Sequence, residues 1–222
     1  MTTVHLGSGV RRAQIVQTAR RIVADEGMAS LTINGLAAAV GVSEGAIYRH
    51  FKSKDDILLA LVREIESNLL RIISDSARPE ESSLDHLRRL LKRHFSSLER
   101  RNAVSFVVIA EAMCFADDRV KQAARQMVER YLETIAAILK EGAAKGEVGP
   151  GVDVKAAAIM FFGMVQASVT LWTFSNRAHP LSQHSAALWG MLKEGVTCQD
   201  GGGPPEPVRR RKTRRTRPDE GS

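Results

Sequence analysis

The sequence predicts an all-α protein in which an N-terminal three-helix helix-turn-helix module is joined by a long fourth helix to a larger C-terminal helical domain. Three observations predict the helical class. Apolar residues recur at helical spacing in nearly every periodic stretch, and none alternates as a half-buried strand would. Glycine stops and serine or threonine caps punctuate the first 55 residues. From Ala156 to Asn176 run 21 consecutive uncharged residues, which suits a helix buried in a protein interior or subunit interface.

The first helix is predicted from Val10 to Glu26, with Ile15, Ala19, Ile22 and Val23 on one stripe and Gly27 as its stop. Thr32 caps a short second helix that buries Leu36, Ala37 and Val40 and ends at Gly41. Ser43 caps a third helix running through His50. Ser53, three residues before Asp56, opens a fourth that reaches about Ser74. A breaker-rich stretch around Pro79 follows. Further helices are expected near Leu84–Arg100, Ala103–Phe115, Asp118–Lys145, Val154–Phe174 and Leu181–Val196. These divide the chain into a flexible start (1–10), a helix-turn-helix module (11–54), a second helical domain (55–198) and a disordered basic tail (199–222).

Composition is that of a soluble globular protein, 44% hydrophobic and 26% charged. The net charge of +7 is unevenly placed: residues 1–54 hold 7 Lys and Arg against 3 acids, 55–198 are balanced, and 199–222 hold 7 against 4. A polyanion would therefore be met at the ends. Two separated cysteines, Cys114 and Cys198, indicate no disulfide framework or paired-cysteine zinc site, and the arginine-broken N-terminus carries no export signal, so the expected location is the cytoplasm. The uncharged stretch is long enough to cross a bilayer, but its polar residues and the lack of a second span favour a core helix. His86 with His94 and His179 with His184 lack metal-ligand spacing, no phosphate-binding loop or nucleophile elbow occurs, and neither an enzyme nor a cofactor is expected.

Thr32 to Phe51, TINGLAAAVGVSEGAIYRHF, has the layout of a helix-turn-helix. Ala37 is small where the helices cross, Gly41 permits the turn, and Val42 and Ile47 close the core beneath. Ser43, Glu44, Ala46, Arg49 and His50 form the outward face of the third helix, the face that enters a major groove in such motifs. Gly45 lacks a side chain in the first turn, which lets the helix N-terminus approach a phosphate. Glu44 either favours the helix dipole or accepts from a cytosine amino group.

Gly45, Tyr48, His50, Phe51 and Lys54 fit a G-x-x-Y-x-H-F-x-x-K pattern, and on this motif the chain resembles the TetR family of regulators. The resemblance extends from about Arg11 to Val62; beyond residue 75 only helix order and length are similar. It implies that Thr32, Tyr48 and Lys54 contact phosphates, that Ser43, Gly45, Ala46 and Arg49 lie near base edges or backbone, and that Phe51 is core. Tyr48 packed on the fourth helix and Lys54 as a solvated charge are the structural alternatives. The resemblance also makes 11–54 a DNA-binding domain and 55–198 a ligand-binding and dimerisation domain, with its helices sensing a small-molecule effector and its last two long helices forming a homodimeric four-helix bundle. Two helix-turn-helix units in such a dimer would read a near-palindromic duplex operator.

The residues add their own suggestions. Gly163 and Ala167 would allow close helix approach, and Leu188, Trp189 and Leu192 suit a partner helix. Phe95, Phe106, Met113, Phe115, Met127, Tyr131, Phe161 and Phe162 could line an apolar pocket for a hydrophobic effector, although residues of these types at helical spacing are more often plain core. The predicted function is a repressor released from its operator by that effector. The alternative is an architectural or cell-division protein with the same DNA-binding module and no inducer. The run Arg209–Arg217 would bind any nucleic acid through its charge, or stay solvated.

Overall fold

The computed structural model describes residues 7–197, and the expected disordered tail lies outside them, as do residues 1–6 of the expected flexible start. Nine α-helices occupy the described residues: α1 (Ser8–Glu26), α2 (Ile33–Val40), α3 (Glu44–Tyr48), α4 (Lys54–Ser76), α5 (Ser83–Arg100), α6 (Val104–Cys114), α7 (Asp118–Ala144), α8 (Val154–Phe174) and α9 (Ser185–Thr197). Side-chain caps set most of their starts. The hydroxyls of Thr32, Ser43, Ser53 and Ser82 and the carboxylates of Asp117 and Asp153 accept from backbone N–H groups of the first turn. Gly41 closes α2 in the left-handed region, φ 77°, where a β-carbon would be strained.

Two differences from the sequence expectation have physical causes. The α-helical part of α3 is only five residues, because the His50 N–H bonds to the Ile47 carbonyl and tightens the last turn. The last helix begins as a 3-10 turn, Leu181–His184, after Pro180, and becomes α-helical at Ser185.

Two hydrophobic clusters organise the chain. The first gathers Ile15, Ala19, Leu36, Ile47 and Phe51 of the N-terminal helices against Ile57, Leu58, Leu61 and Val62 of α4, with Val104, Val108 and Ala112 of α6 and Met127 of α7 beneath. The second gathers Ile72 and Ile73 of α4 with Leu87, Leu90 and Phe95 of α5, Tyr131 and Ile135 of α7, Phe161 and Val165 of α8, and Trp189 and Leu192 of α9. Leu69 touches both. Thus α4 passes from one core into the other without a break.

Phe161 is fully buried in the second cluster. Phe161→Ala should cost about 3–5 kcal/mol of unfolding free energy, the range for truncating a core aromatic, measured by urea denaturation.

Candidate DNA interface and effector site

Helices α2 and α3 present a continuous polar face. Thr32, Ser43, Glu44, Gly45, Tyr48 and Arg49 are exposed, and Ala46, His50 and Lys54 are half-buried at its edge. Ile47 and Phe51 point the other way, into the core. Thr32 Oγ1 accepts from Gly35 N at 3.0 Å and Ser43 Oγ from Ala46 N at 3.3 Å, leaving both hydroxyl protons free to donate to an anion. A β-carbon on Gly45 would meet nothing closer than Ser43 Oγ at 3.9 Å, so packing within the protein does not require glycine there. What its absence leaves is an open approach to the α3 backbone. Tyr48 is 49% exposed, so its ring is not consumed by packing on α4.

Three contacts on this face were not legible in the sequence. Asn34 Nδ2 donates to Glu44 Oε1 at 2.8 Å, tying the start of α3 to α2 and occupying one carboxylate oxygen. Arg12 of α1 donates to the His50 carbonyl at 2.7 Å, and its guanidinium carbon lies 4.1 Å from the centre of the Phe51 ring. Lys54 Nζ stands 3.7 Å from Glu111 Oε1 of α6, which links the start of α4 to the second half of the chain.

The residues proposed to line one pocket do not come together. Phe95, Tyr131 and Phe161 share the second core, with Phe106 and Phe162 packed against it and Phe162 edge-on to Tyr131 at 6.0 Å. Met127 lies in the first core. Met113 and Phe115 face solvent at 65% and 80% exposure. The inward stripe of α6 is Val104, Val108 and Ala112, and the next residue along is rotated by about 100° from it.

An opening exists elsewhere. A narrow crevice of about 20 Å³ lies between Ile65, Asn68 and Leu69 of α4, His94 and Leu98 of α5, and Val104 of α6, with Arg20 and Arg101 also on its walls. At its edge the buried His94 Nδ1 is 3.1 Å from the Tyr131 hydroxyl. Burial drives the His94 imidazole down from 6.5 to about 4 and the Tyr131 phenol up. The pair is therefore neutral and uncharged at pH 7, a polar spot inside an apolar core.

The residues expected at a dimer interface also divide. Gly163 and Ala167 are exposed on the outer side of α8, and Leu188 is half-buried. Trp189 and Leu192 instead turn inward, 8% and 2% exposed, into the second core. The large apolar residue of α9 that faces out is Met191, at 70%.

An exposed, capped helix-turn-helix rigidly attached to a larger helical domain with a buried polar spot defines a one-component DNA-binding regulator. The family model for bacterial regulatory proteins of the tetR family matches residues 15–61, and that for the C-terminal region of YsiA-like proteins matches residues 46–195. The chain belongs to the TetR family, and it is a ligand-responsive DNA-binding transcriptional repressor. Proteins of this family bind DNA operators and small molecules and dimerise, and are typically non-enzymatic.

Among its relatives, the fatty acid metabolism regulator protein of Bacillus subtilis is 27% identical over 82% of this chain and 94% of its own. The nucleoid occlusion factor SlmA of Vibrio atlanticus is 29% identical over 84% and 95%. The crystal structure of the transcriptional regulator FadR from Bacillus subtilis in complex with stearoyl-CoA superposes with a TM-score of 0.73 at 28% identity, covering 83% of this chain and 98% of that one.

A pH dependence follows from His94. The unfolded chain takes up a proton below about pH 6.5 and the folded one only near 4, so this contribution to stability is full above 6.5 and lost as the pH falls toward 4. Between these limits the wild type should lose about 3 kcal/mol relative to His94→Gln, which keeps a hydrogen-bonding group without titrating there. Denaturation curves collected from pH 7 to 4 measure the difference.

Proposed function

We propose that the chain is a homodimeric repressor whose effector is a long-chain acyl thioester. The crevice lined by His94 carries this reading. It adjoins an apolar core, its His94 is neutral and hydrogen-bonded to Tyr131 behind it, and it is far too small for an acyl chain unless its walls part. The fatty acid regulator and the stearoyl-CoA-bound FadR among the relatives support the same ligand class.

Those walls belong to α4, α5 and α6. An entering chain would push α6 away from α5, and α6 also lies under the first core and pairs through Glu111 with Lys54. Displacement of α6 is thereby passed to the DNA-binding module, which is the physical basis proposed for release. On that module, Thr32, Ser43, Tyr48 and Lys54 are assigned to phosphates and Arg49 to a base edge, with the open backbone at Gly45 resting on the duplex.

The outer face of α8 is assigned to a second copy of the chain. Ala156, Ile159, Met160, Gly163, Ala167, Leu171 and Phe174 form an exposed stripe without a charge, continued by Met191 of α9. A β-carbon at Gly163 would meet nothing within 4 Å, so the protomer has no packing need for a glycine that costs a helix about 1 kcal/mol relative to alanine. Close approach of a neighbouring helix supplies a need. α8 is also the one described helix long and apolar enough to cross a membrane. Its opposite side, however, packs Ala157, Ala158, Phe161, Val165 and Val169 into the protein's own core, which favours a bundle and a cytoplasmic location.

Three outcomes are expected. Stearoyl-CoA should lower affinity for a selected operator at least tenfold by fluorescence anisotropy; no change over a saturating range would exclude this effector class. Arg49→Ala should lose about 1–3 kcal/mol on that operator and less on random duplex. Gly163→Arg should sediment as a folded monomer, whereas an unchanged dimer would place the interface elsewhere.

A further inference from the structure

Arg20 of α1 and Arg101, just past the end of α5, converge on one oxygen of Glu64 in α4, each at 3.2 Å. The three side chains are 25%, 31% and 32% exposed and form part of a cleft of about 670 Å³, whose walls add Arg12 and Arg63. An adjoining cleft of about 430 Å³ shares Arg20 and Arg101 and adds Arg21, Arg100 and Asp25. Six guanidinium groups thus face two carboxylates across a concave surface, although the domain beyond residue 54 is charge-balanced up to residue 198.

The ion pairing inside this cluster is incomplete. Arg20 Nε and Glu64 Oε2 are buried without a hydrogen-bond partner, so the short approach of Arg20 to Glu64 is poorly aligned. Both arginines crowd onto Oε1 of Glu64 while its Oε2 stays unused, whereas a phosphate offers three acceptor oxygens that can engage both forks. Arg20 and Arg101 also stand on the wall of the crevice that ends at His94, so a molecule whose tail fills the crevice would leave its head between these two residues.

We propose that Arg20 and Arg101 form a phosphate-binding latch that holds the phosphorylated head of the effector in competition with Glu64. This rests on the acyl-thioester reading above and deepens it by assigning the head group and its coupling. With Glu64 as partner, Arg20 ties α1 to α4. With a phosphate as partner, that tie is released, and α1 also carries Arg12, which holds the His50 carbonyl at the end of α3. Head-group binding therefore acts on the DNA-binding module through α1, independently of the tail acting through α6. A duplex backbone is a poorer occupant, because it presents phosphates on a convex surface and Arg20 is three-quarters buried in a concave one.

The turn bearing Arg101 has a costly backbone conformation. Asn102 and Ala103, which follow it, both lie in the left-handed region at φ 52° and 55°, a conformation that costs residues other than glycine and is held only by its surroundings.

Calorimetric titration of the full chain with coenzyme A, stearoyl-CoA and stearate, alongside operator anisotropy, tests the latch. Coenzyme A alone should bind the wild type, weaken about tenfold or more in Arg20→Gln and Arg101→Gln, and bind Glu64→Gln more tightly, while stearate distinguishes none of them. The gain in Glu64→Gln has the opposite sign to any loss from misfolding. Coenzyme A that fails to bind the wild type, or binds all four proteins alike, overturns the proposal even if stearoyl-CoA releases DNA. If stearoyl-CoA leaves the operator bound while coenzyme A still requires both arginines, the effector reading fails and the phosphate site stands. Should Arg20→Gln and Arg101→Gln flatten the salt dependence of operator binding and leave coenzyme A unaffected, these arginines serve the DNA backbone, and the latch is refuted.

Discussion

The structure depends on one shared helix. α4 runs 23 residues from the Ser53 cap to Ser76, about 35 Å, and contributes its first half to one hydrophobic core and its last turns to the other. Ile57, Leu58, Leu61 and Val62 are the floor under α1 to α3, and Ile72 and Ile73 belong with α5, α7 and α8. No hinge residue interrupts it. A core of interlocking side chains resists continuous deformation, so a shift of α4 at the effector end reappears as a tilt at the DNA end.

Around this strut, the first core joins the two halves through the apolar residues of α6 and α7, and the ion pairs that accompany it are few and exposed enough to be exchanged. Lys54 with Glu111, Arg119 with Asp56, and Arg20 and Arg101 with Glu64 all join α4 to elements that line or support the crevice proposed for the effector. Surface pairs of this sort contribute little to stability, on the order of 1 kcal/mol or less each. They therefore suit a switch better than a scaffold: the cores hold the fold, and the ion pairs bias which arrangement the strut adopts. The buried His94 and Tyr131 pair is the exception, a polar contact whose loss is costly because it has no water to turn to.

Much of this was legible in the sequence where the signal is local. Caps at Thr32, Ser43 and Ser53, the glycine stop at Gly41 and the uninterrupted apolar run of α8 each act within a few residues, and those elements were placed closely. Orientation was harder. α6 is apolar nearly all round, so its pattern could not say that Val108 faces in and Met113 out. Trp189 and Leu192 suit a partner helix by their spacing, and a core stripe has that same spacing; they face inward. The Arg20, Glu64 and Arg101 cluster had no sequence signal, since its members are 44 and 37 residues apart and each alone is an ordinary surface charge.

The central claim is that effector binding in the second half of the chain moves the DNA-binding modules through α4. Spin labels on Ala39→Cys, an exposed α2 position, in a chain with Cys114 and Cys198 replaced by serine, would report the distance between the two modules of a dimer. Pulsed electron resonance with and without stearoyl-CoA is the direct measurement. Strut coupling predicts that the distance distribution shifts at the same effector concentration that releases the operator. An unchanged distribution accompanying full release would contradict it.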